Sequence, residues 1–274
     1  MNACLQQDKN KEIGDLMKQW KACVADKEIP HLKTKESGKP YQGKDFFCTD
    51  GFFPNYFEQP KKILFIGRDP VGDMHKKGCI AHFLDEYKKN NVNNGERVDE
   101  NKFHSRMMYI AKGIINGGKT QAYYQLESAS CIAKGIGLPH GISFAFMELS
   151  KYVDDNKADV KLINSFLEHS ELTKTDFFKK EIKILEPDII ITMNLWELRI
   201  NYNLLKQAFD GANFIPDIDY TYPAALRSLM IEDKEIPIID LYHFSSIAQT
   251  TQEHFYNPVM TIINDEKFKE KFCW

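Results

Sequence analysis

The sequence predicts an α/β fold, a three-layer α/β/α arrangement around a central, mainly parallel four-stranded sheet. Three observations carry this expectation. Four short apolar runs rich in β-formers recur along the chain, at 63–66, 142–147, 188–192 and 236–241. These runs are continuous rather than alternating, which marks strands buried on both faces. Stretches of helical periodicity separate them, and strands alternating with helices argue for a parallel sheet covered on both sides.

Taken in order, residues 8–26 form a helix, because Ile13, Leu16, Met17, Trp20 and Val24 recur at helical spacing among lysines and acids. Residues 27–60 are irregular, broken by Pro30, Gly38, Pro40, Gly43, Gly51, Pro54 and Pro60. Their aromatic group, Phe46, Phe47, Phe52, Phe53, Tyr56 and Phe57, packs the segment onto the core. No linker separates it, so 1–274 reads as a single α/β domain, with 1–60 as an N-terminal helical and irregular extension on a 61–274 core.

The first strand, 63–66, ends in Gly67-Arg68-Asp69-Pro70-Val71-Gly72. A helix follows from Cys79 to Tyr87, then a polar loop at 90–101 and helices near 103–115 and 119–134. The turn cluster 135–141 leads into the second strand, which ends at Glu148. Residues 159–185 hold two helices, the second opened by a short side chain from Thr173 or Asp176. Glu186-Pro187 stops that pattern before the strand at 188–192. A helix at 195–209, a loop-rich stretch at 210–234, the strand at 236–241 and a final helix at 249–264 complete the chain. Ligands of open α/β sheets bind beyond the carboxyl ends of the strands. The loops 67–72, 148–151, 193–196 and 243–247 are therefore where a site is expected.

Composition narrows the function. With 43% hydrophobic and 27% charged residues the 274-residue chain has ample core. A net charge of −3 creates no general attraction for nucleic acid, so any such binding must be local. Six cysteines, at 4, 23, 48, 79, 131 and 273, form no CxxC pair, which removes zinc-ribbon and iron–sulfur spacings. Scattered thiols suggest a reducing compartment. The N-terminal stretch has no apolar h-region and no run reaches membrane-spanning length. A soluble, cytoplasmic, monomeric protein without cofactor is the expectation. His75, Cys79 and His82 are zinc-ligand types at helical spacing, but they are only three, and no metal is expected.

Three strand ends match one pattern in order. Gly67-Arg68-Asp69-Pro70-Val71-Gly72 resembles the GQDPYH motif of the uracil-DNA glycosylase superfamily, and His243-Phe244-Ser245-Ser246-Ile247 resembles its HPS motif followed by an apolar residue. Glu148-Leu149-Ser150-Lys151 takes the place of an Asn-x-x-Lys, and LEPDIIITMN is similar to a structural strand of the family. The resemblance covers roughly residues 61–250, and the first 60 match nothing in that pattern. It implies a DNA N-glycosylase that hydrolyses the bond to a flipped damaged or deaminated base. Asp69 would orient or deprotonate the water and His243 would donate to the base oxygen. Gly67, Arg68, Phe83 and Glu148 would line the base, with Phe83 stacked on it. Ser245, Ser246, Ile247 and Lys151 would meet DNA, the serines at phosphate and Ile247 as an apolar wedge.

Each residue also has a plainer reading: Asp69 as a turn cap, His243 tied to backbone, Ser245 or Ser246 as a helix cap with Ile247 in the core, and Phe83 as a core aromatic. Glu148 is the main departure, since an ionised carboxylate only accepts hydrogen bonds where an amide also donates. It puts uracil in doubt and suits a base with an exocyclic amine better. Two other functions stand beside the glycosylase: a non-catalytic member of the fold that binds nucleic acid or a partner, and a small-molecule nucleoside or nucleotide hydrolase.

Overall fold

In the computed structural model the four apolar runs become four adjacent parallel strands. The structure describes residues 2–27, 42–70, 72, 74–93, 95–117, 122–153, 160–167, 176–196, 204–209, 213–216 and 223–274. Its strands are β1 (Gly51–Phe52), β2 (Ile63–Gly67), β3 (Ala145–Glu148), β4 (Ile189–Met193), β5 (Asn213–Pro216), β6 (Ala224–Ile231) and β7 (Lys234–Leu241). They form one seven-stranded mixed sheet in the order β1-β3-β2-β4-β7-β6-β5.

The expected sheet of four strands is thus its middle, and the expectation is corrected at both margins. β1 adds antiparallel to β3, and the β5–β6 pair adds antiparallel to β7. The stretch 210–234, read as loop-rich, holds both β5 and β6. β6 reaches β7 through the two-residue turn Glu232-Asp233, with Glu232 left-handed at φ 54°. Hairpin turns of this kind usually announce themselves as Asn-Gly or Asp-Gly. This one does not, and Arg227 and Ser228 interrupt the apolar pattern of β6.

Helices cover both faces. On one lie α4 (Cys79–Lys89), α5 (Lys102–Ile115), α6 (Ala129–Lys134), α10 (Asn257–Asn264) and α11 (Glu266–Phe272). On the other lie α1 (Asn2–Val24), α7 (Val160–Leu167), α8 (Phe177–Leu185) and α9 (Leu204–Ala208). The short turns α2 (Gly43–Phe46) and α3 (Met74–Lys77) complete the set of described helices numbered here. Alternation along the strands explains the two layers. Ile63 and Phe65 of β2 enter the first core, Leu64 and Ile66 the second. The final helix is a π-helical turn at Gln252–Tyr256 continued by α10, and α11 was not expected at all. Thr173 and much of the expected helix 195–209 lie outside the described residues, and Asp176, left-handed at φ 50°, makes no side-chain cap.

The N-terminal segment is built into the core. Trp20 of α1 is fully enclosed, stacked on Phe177 at 5.0 Å and edge-on to Phe178 at 4.7 Å. No described helix is long and apolar enough to cross a membrane.

The chain turns one way from β2 to β3 and the other way from β4 toward β7. In open α/β sheets such a reversal is where ligands bind, and here it falls at the carboxyl ends of β2 and β4, followed by Arg68 and Asp69 on one side and Asn194 on the other. Removing the aromatic joint between α1 and α8 tests the integration of the N-terminus. Trp20→Ala should cost about 3–5 kcal/mol in urea unfolding, in a single transition. A separate early transition for α1 would contradict it.

Candidate active site

Four strand ends build the site. Strands spaced about 4.8 Å apart place the ends of β2 and β7, with β4 between them, roughly 10 Å from each other. Asp240, buried in β7, fixes the turn after β4: its carboxylate accepts from Thr192 Oγ1 at 2.5 Å, Leu195 N at 3.0 Å and Trp196 N at 3.2 Å. Asn194 of that turn is left-handed at φ 61°, and its carbonyl accepts from Arg68 Nη2 at 3.4 Å.

Arg68 is the electrostatic hinge of the site. Burial lowers its pKa, while Asp69 and Asp240 raise it. Its Nε is buried with no hydrogen-bond partner among the described residues. Asp69 is 8% exposed.

His243 follows β7. Its Nδ1 accepts from Ser245 N at 3.3 Å, so in the neutral ring the proton is assigned to Nε2, which is left as a donor. Burial, then the charges of Arg68 and Arg106, bring its pKa down to about 4. The ring is therefore neutral at ordinary pH. Arg68 acts on both Asp69 and His243, which ties the early and late strand ends electrostatically.

The loop after His243 is held from beneath. Arg106 of α5 donates to the carbonyls of Phe244 at 2.5 Å, Ser246 at 3.0 Å and Gln249 at 2.6 Å, and lies 3.9 Å over the Phe255 ring. Lys102 Nζ donates to Ile247 O at 2.9 Å. Ile247 is 85% exposed at the tip, so it is not a core residue. Ser245 is exposed, and Ser246 donates its hydroxyl to Gln249 Oε1. No helix starts at either serine, which removes their reading as caps of one.

Two expectations are corrected. Lys151 is 0% exposed, ion-paired with Asp50 and seated 4.5 Å over the Trp20 ring, so it cannot reach DNA. Phe83 is 0% exposed and packs edge-on to Phe146 at 5.2 Å, a core aromatic rather than a stacking platform. Phe103, rather than Phe83, is the aromatic near His243. It is partly buried, 6.3 Å from the His243 ring and 6.2 Å from Phe146. The available signal was Asn101, whose side chain caps α5 by accepting from Phe103 N and His104 N and so sets Phe103 in the first turn.

Glu148, at the end of β3, is 3% exposed. It lies so close over Gly67 that a Cβ there would collide with Glu148 Oε2. Its own N–H donates to Asp50 Oδ1 at 3.3 Å, and its carbonyl accepts from Lys151 Nζ. Burial, followed by the charges of Asp69 and Asp50, pushes its carboxyl well above the usual range, and Lys151 only partly opposes them. Burial also pushes Asp50 up while Lys151 pulls it down. We read Asp50 and Lys151 as ionised, because Asp50 accepts from both Lys151 Nζ and Glu148 N and holds the lysine above its ordinary value. Glu181 stands 3.8 Å from Lys151 Nζ.

Cys79 meets Cys48, with 3.1 Å between the sulfurs. Among the described residues no cluster of three or more His, Cys, Asp or Glu could hold a metal ion. No protein-family model matches the chain, and no curated protein matches it significantly.

Two outcomes check this geometry. Breaking the buried pair with Lys151→Ala should cost about 3–5 kcal/mol in chemical denaturation, and Asp50→Asn with Lys151→Met together should cost clearly less; equal losses would mean the pair contributes nothing specific. For His243, a folded pKa of about 4 against an ordinary 6.5 means its contribution to stability is complete above 6.5 and is lost as pH falls through 4. Imidazole NMR should find it neutral well below pH 6.5, and His243→Gln should flatten that acid limb. Titration at the ordinary value would contradict its burial between two arginines.

Proposed function

We propose that the protein is a DNA glycosylase that hydrolyses the N-glycosidic bond of a base turned out of the stack, on the pattern of the uracil-DNA glycosylase superfamily. The observation that carries this reading is the neutral His243, whose Nδ1 is occupied by Ser245 N and whose Nε2–H is left to donate. Cleavage builds negative charge on the departing base and positive charge on the sugar. A fixed neutral donor at the base oxygen stabilises the first, and preorganised donors of this type contribute ~3–4 kcal/mol. Asp69, on the loop after β2, is the group that orients or deprotonates the water and whose charge suits the cationic sugar.

Arg68 supports the reading from between them. Its buried Nε has no described partner and can donate to the base or to a phosphate. Phe103 forms an aromatic wall beside His243. Ile247, 85% exposed on a loop clamped by Arg106 and Lys102, favours DNA over a free nucleoside, because a small substrate has no use for an apolar wedge. DNA as partner, a monomeric state and a cytoplasmic setting belong to this proposal.

A strand-cleavage assay on oligonucleotides carrying uracil, hypoxanthine, xanthine or alkylated bases tests it. Asp69→Asn should slow base release by ~10²–10⁴-fold and His243→Ala by ~10²–10³-fold. Release that both variants leave intact would remove the assigned roles.

A further inference from the structure

The Glu148 carboxyl is enclosed, and its Oε2 has no hydrogen-bond partner among the described residues. Among the described residues no cation forms an ion pair with it. Lys151 Nζ, the nearest on its own turn, donates instead to Asp50 and to the Glu148 backbone carbonyl. The groups around it are otherwise acidic or neutral: Asp69 from the loop after β2, Asp50 from the segment before β1, and the Cys48 thiol. Gly67 leaves the carboxyl the room that any side chain would take, so the group lies directly against the end of β2, one residue from Arg68 and two from Asp69.

We propose that Glu148 works as a neutral carboxylic acid, its O–H donating and its C=O accepting, and so reads a base edge that sets an N–H beside a C=O. The inference rests on the glycosylase reading and names the substrate class of that site: bases with an imide or lactam edge, such as uracil, hypoxanthine or xanthine. An ionised carboxylate has no donor and would oppose the base oxygen with a lone pair. The protonated acid offers one donor and one acceptor, as a side-chain amide does. Burial and the neighbouring Asp69 and Asp50 charges favour that form. The departure at this position thus changes from an obstacle to lactam recognition into a pH-limited means of it. The same acid can also meet an amine-bearing edge, its O–H donating to the ring nitrogen and its C=O accepting from the amine, so what it separates is a base with its N–H from the same base methylated there.

The test compares wild type with Glu148→Gln, which keeps a donor and an acceptor and cannot ionise, and with Glu148→Ala. Base release is measured across pH on uracil- and hypoxanthine-containing oligonucleotides, with 3-methyluracil, which lacks the N–H, as control. Wild-type release should fall about tenfold per pH unit once the acid ionises. Glu148→Gln should remain active with that alkaline fall abolished, and Glu148→Ala and the methylated base should each lose at least tenfold. A Gln variant with the wild-type pH profile, or indifference to the methyl group, would overturn the proposal. Binding of free uracil and 3-methyluracil, followed at the glutamate carboxyl carbons by NMR, needs no catalysis. Methyl-sensitive binding that moves the Glu148 signal, without release from any oligonucleotide, would sink the glycosylase reading and leave the recognition role standing. No discrimination between the two bases would sink the recognition role whatever the oligonucleotides show.

Discussion

One buried ion pair, Lys151 with Asp50, governs the carboxyl edge of the sheet. Its lysine lies over Trp20 and donates to the carbonyl of Glu148, so it fastens the end of β3 to the N-terminal helix. Its aspartate accepts the Glu148 N–H and fixes the segment that becomes β1. Two charges taken from water together are tolerated only when their remaining valences are filled. Here the backbone of Glu148 fills them. The consequence falls on the Glu148 side chain. The cation that would have paired with it is already committed, and a carboxyl left in that enclosure favours its proton.

The rest of the site is set by how the sheet reverses. β2 and β4 are neighbours whose onward connections leave in opposite directions, the place where open α/β sheets bind their ligands. Asp240 holds the β4 turn by three hydrogen bonds, which fixes the carbonyl that receives Arg68. Arg68 then acts on Asp69 on one side and His243 on the other. An imidazole beside two arginines is favoured as the neutral ring. Burial and the Ser245 N–H make it persist.

The four central strands were legible because each is buried on both faces and reads as an unbroken apolar run. What was missed has physical reasons. β1 is two residues long, too short for any periodicity, and its role comes from Asp50 beside it. β6 carries Arg227 and Ser228 and turns through Glu232-Asp233, a dipeptide without the usual hairpin glycine. Lys151 reads in sequence as a surface cation, because nothing local betrays that Asp50, a hundred residues earlier, will meet it. Phe83 within α4 and Phe103 in the first turn of α5 are both aromatics on helices after the first strand, and only the packing tells which one lies near His243. Arg68, Asp69, Glu148 and His243 stand out in the sequence because each closes or follows an apolar run that the structure makes a strand, and their roles rest on the proposed function. The state of Glu148 is not legible there, since it depends on a lysine's choice of partner.

The net charge of −3 bears on how such a site would hold DNA. A protein that binds by neutralising many phosphates gains most of its affinity from released counterions and loses it steeply with salt. This chain has no such surplus, and Lys151, just after β3, is committed inside. On the proposed reading, affinity must come from the few groups at the crevice: the buried arginine edge, the Ser245 loop, the exposed Ile247 and the pocket for the base. Those groups act only once a base has left the stack. Unstacking costs a few kcal/mol in an intact duplex and least at a mismatched or single-stranded position. On that reading a weakly charged protein of this design would be selective before it reads any base edge, because its general affinity is too small to force open a sound pair.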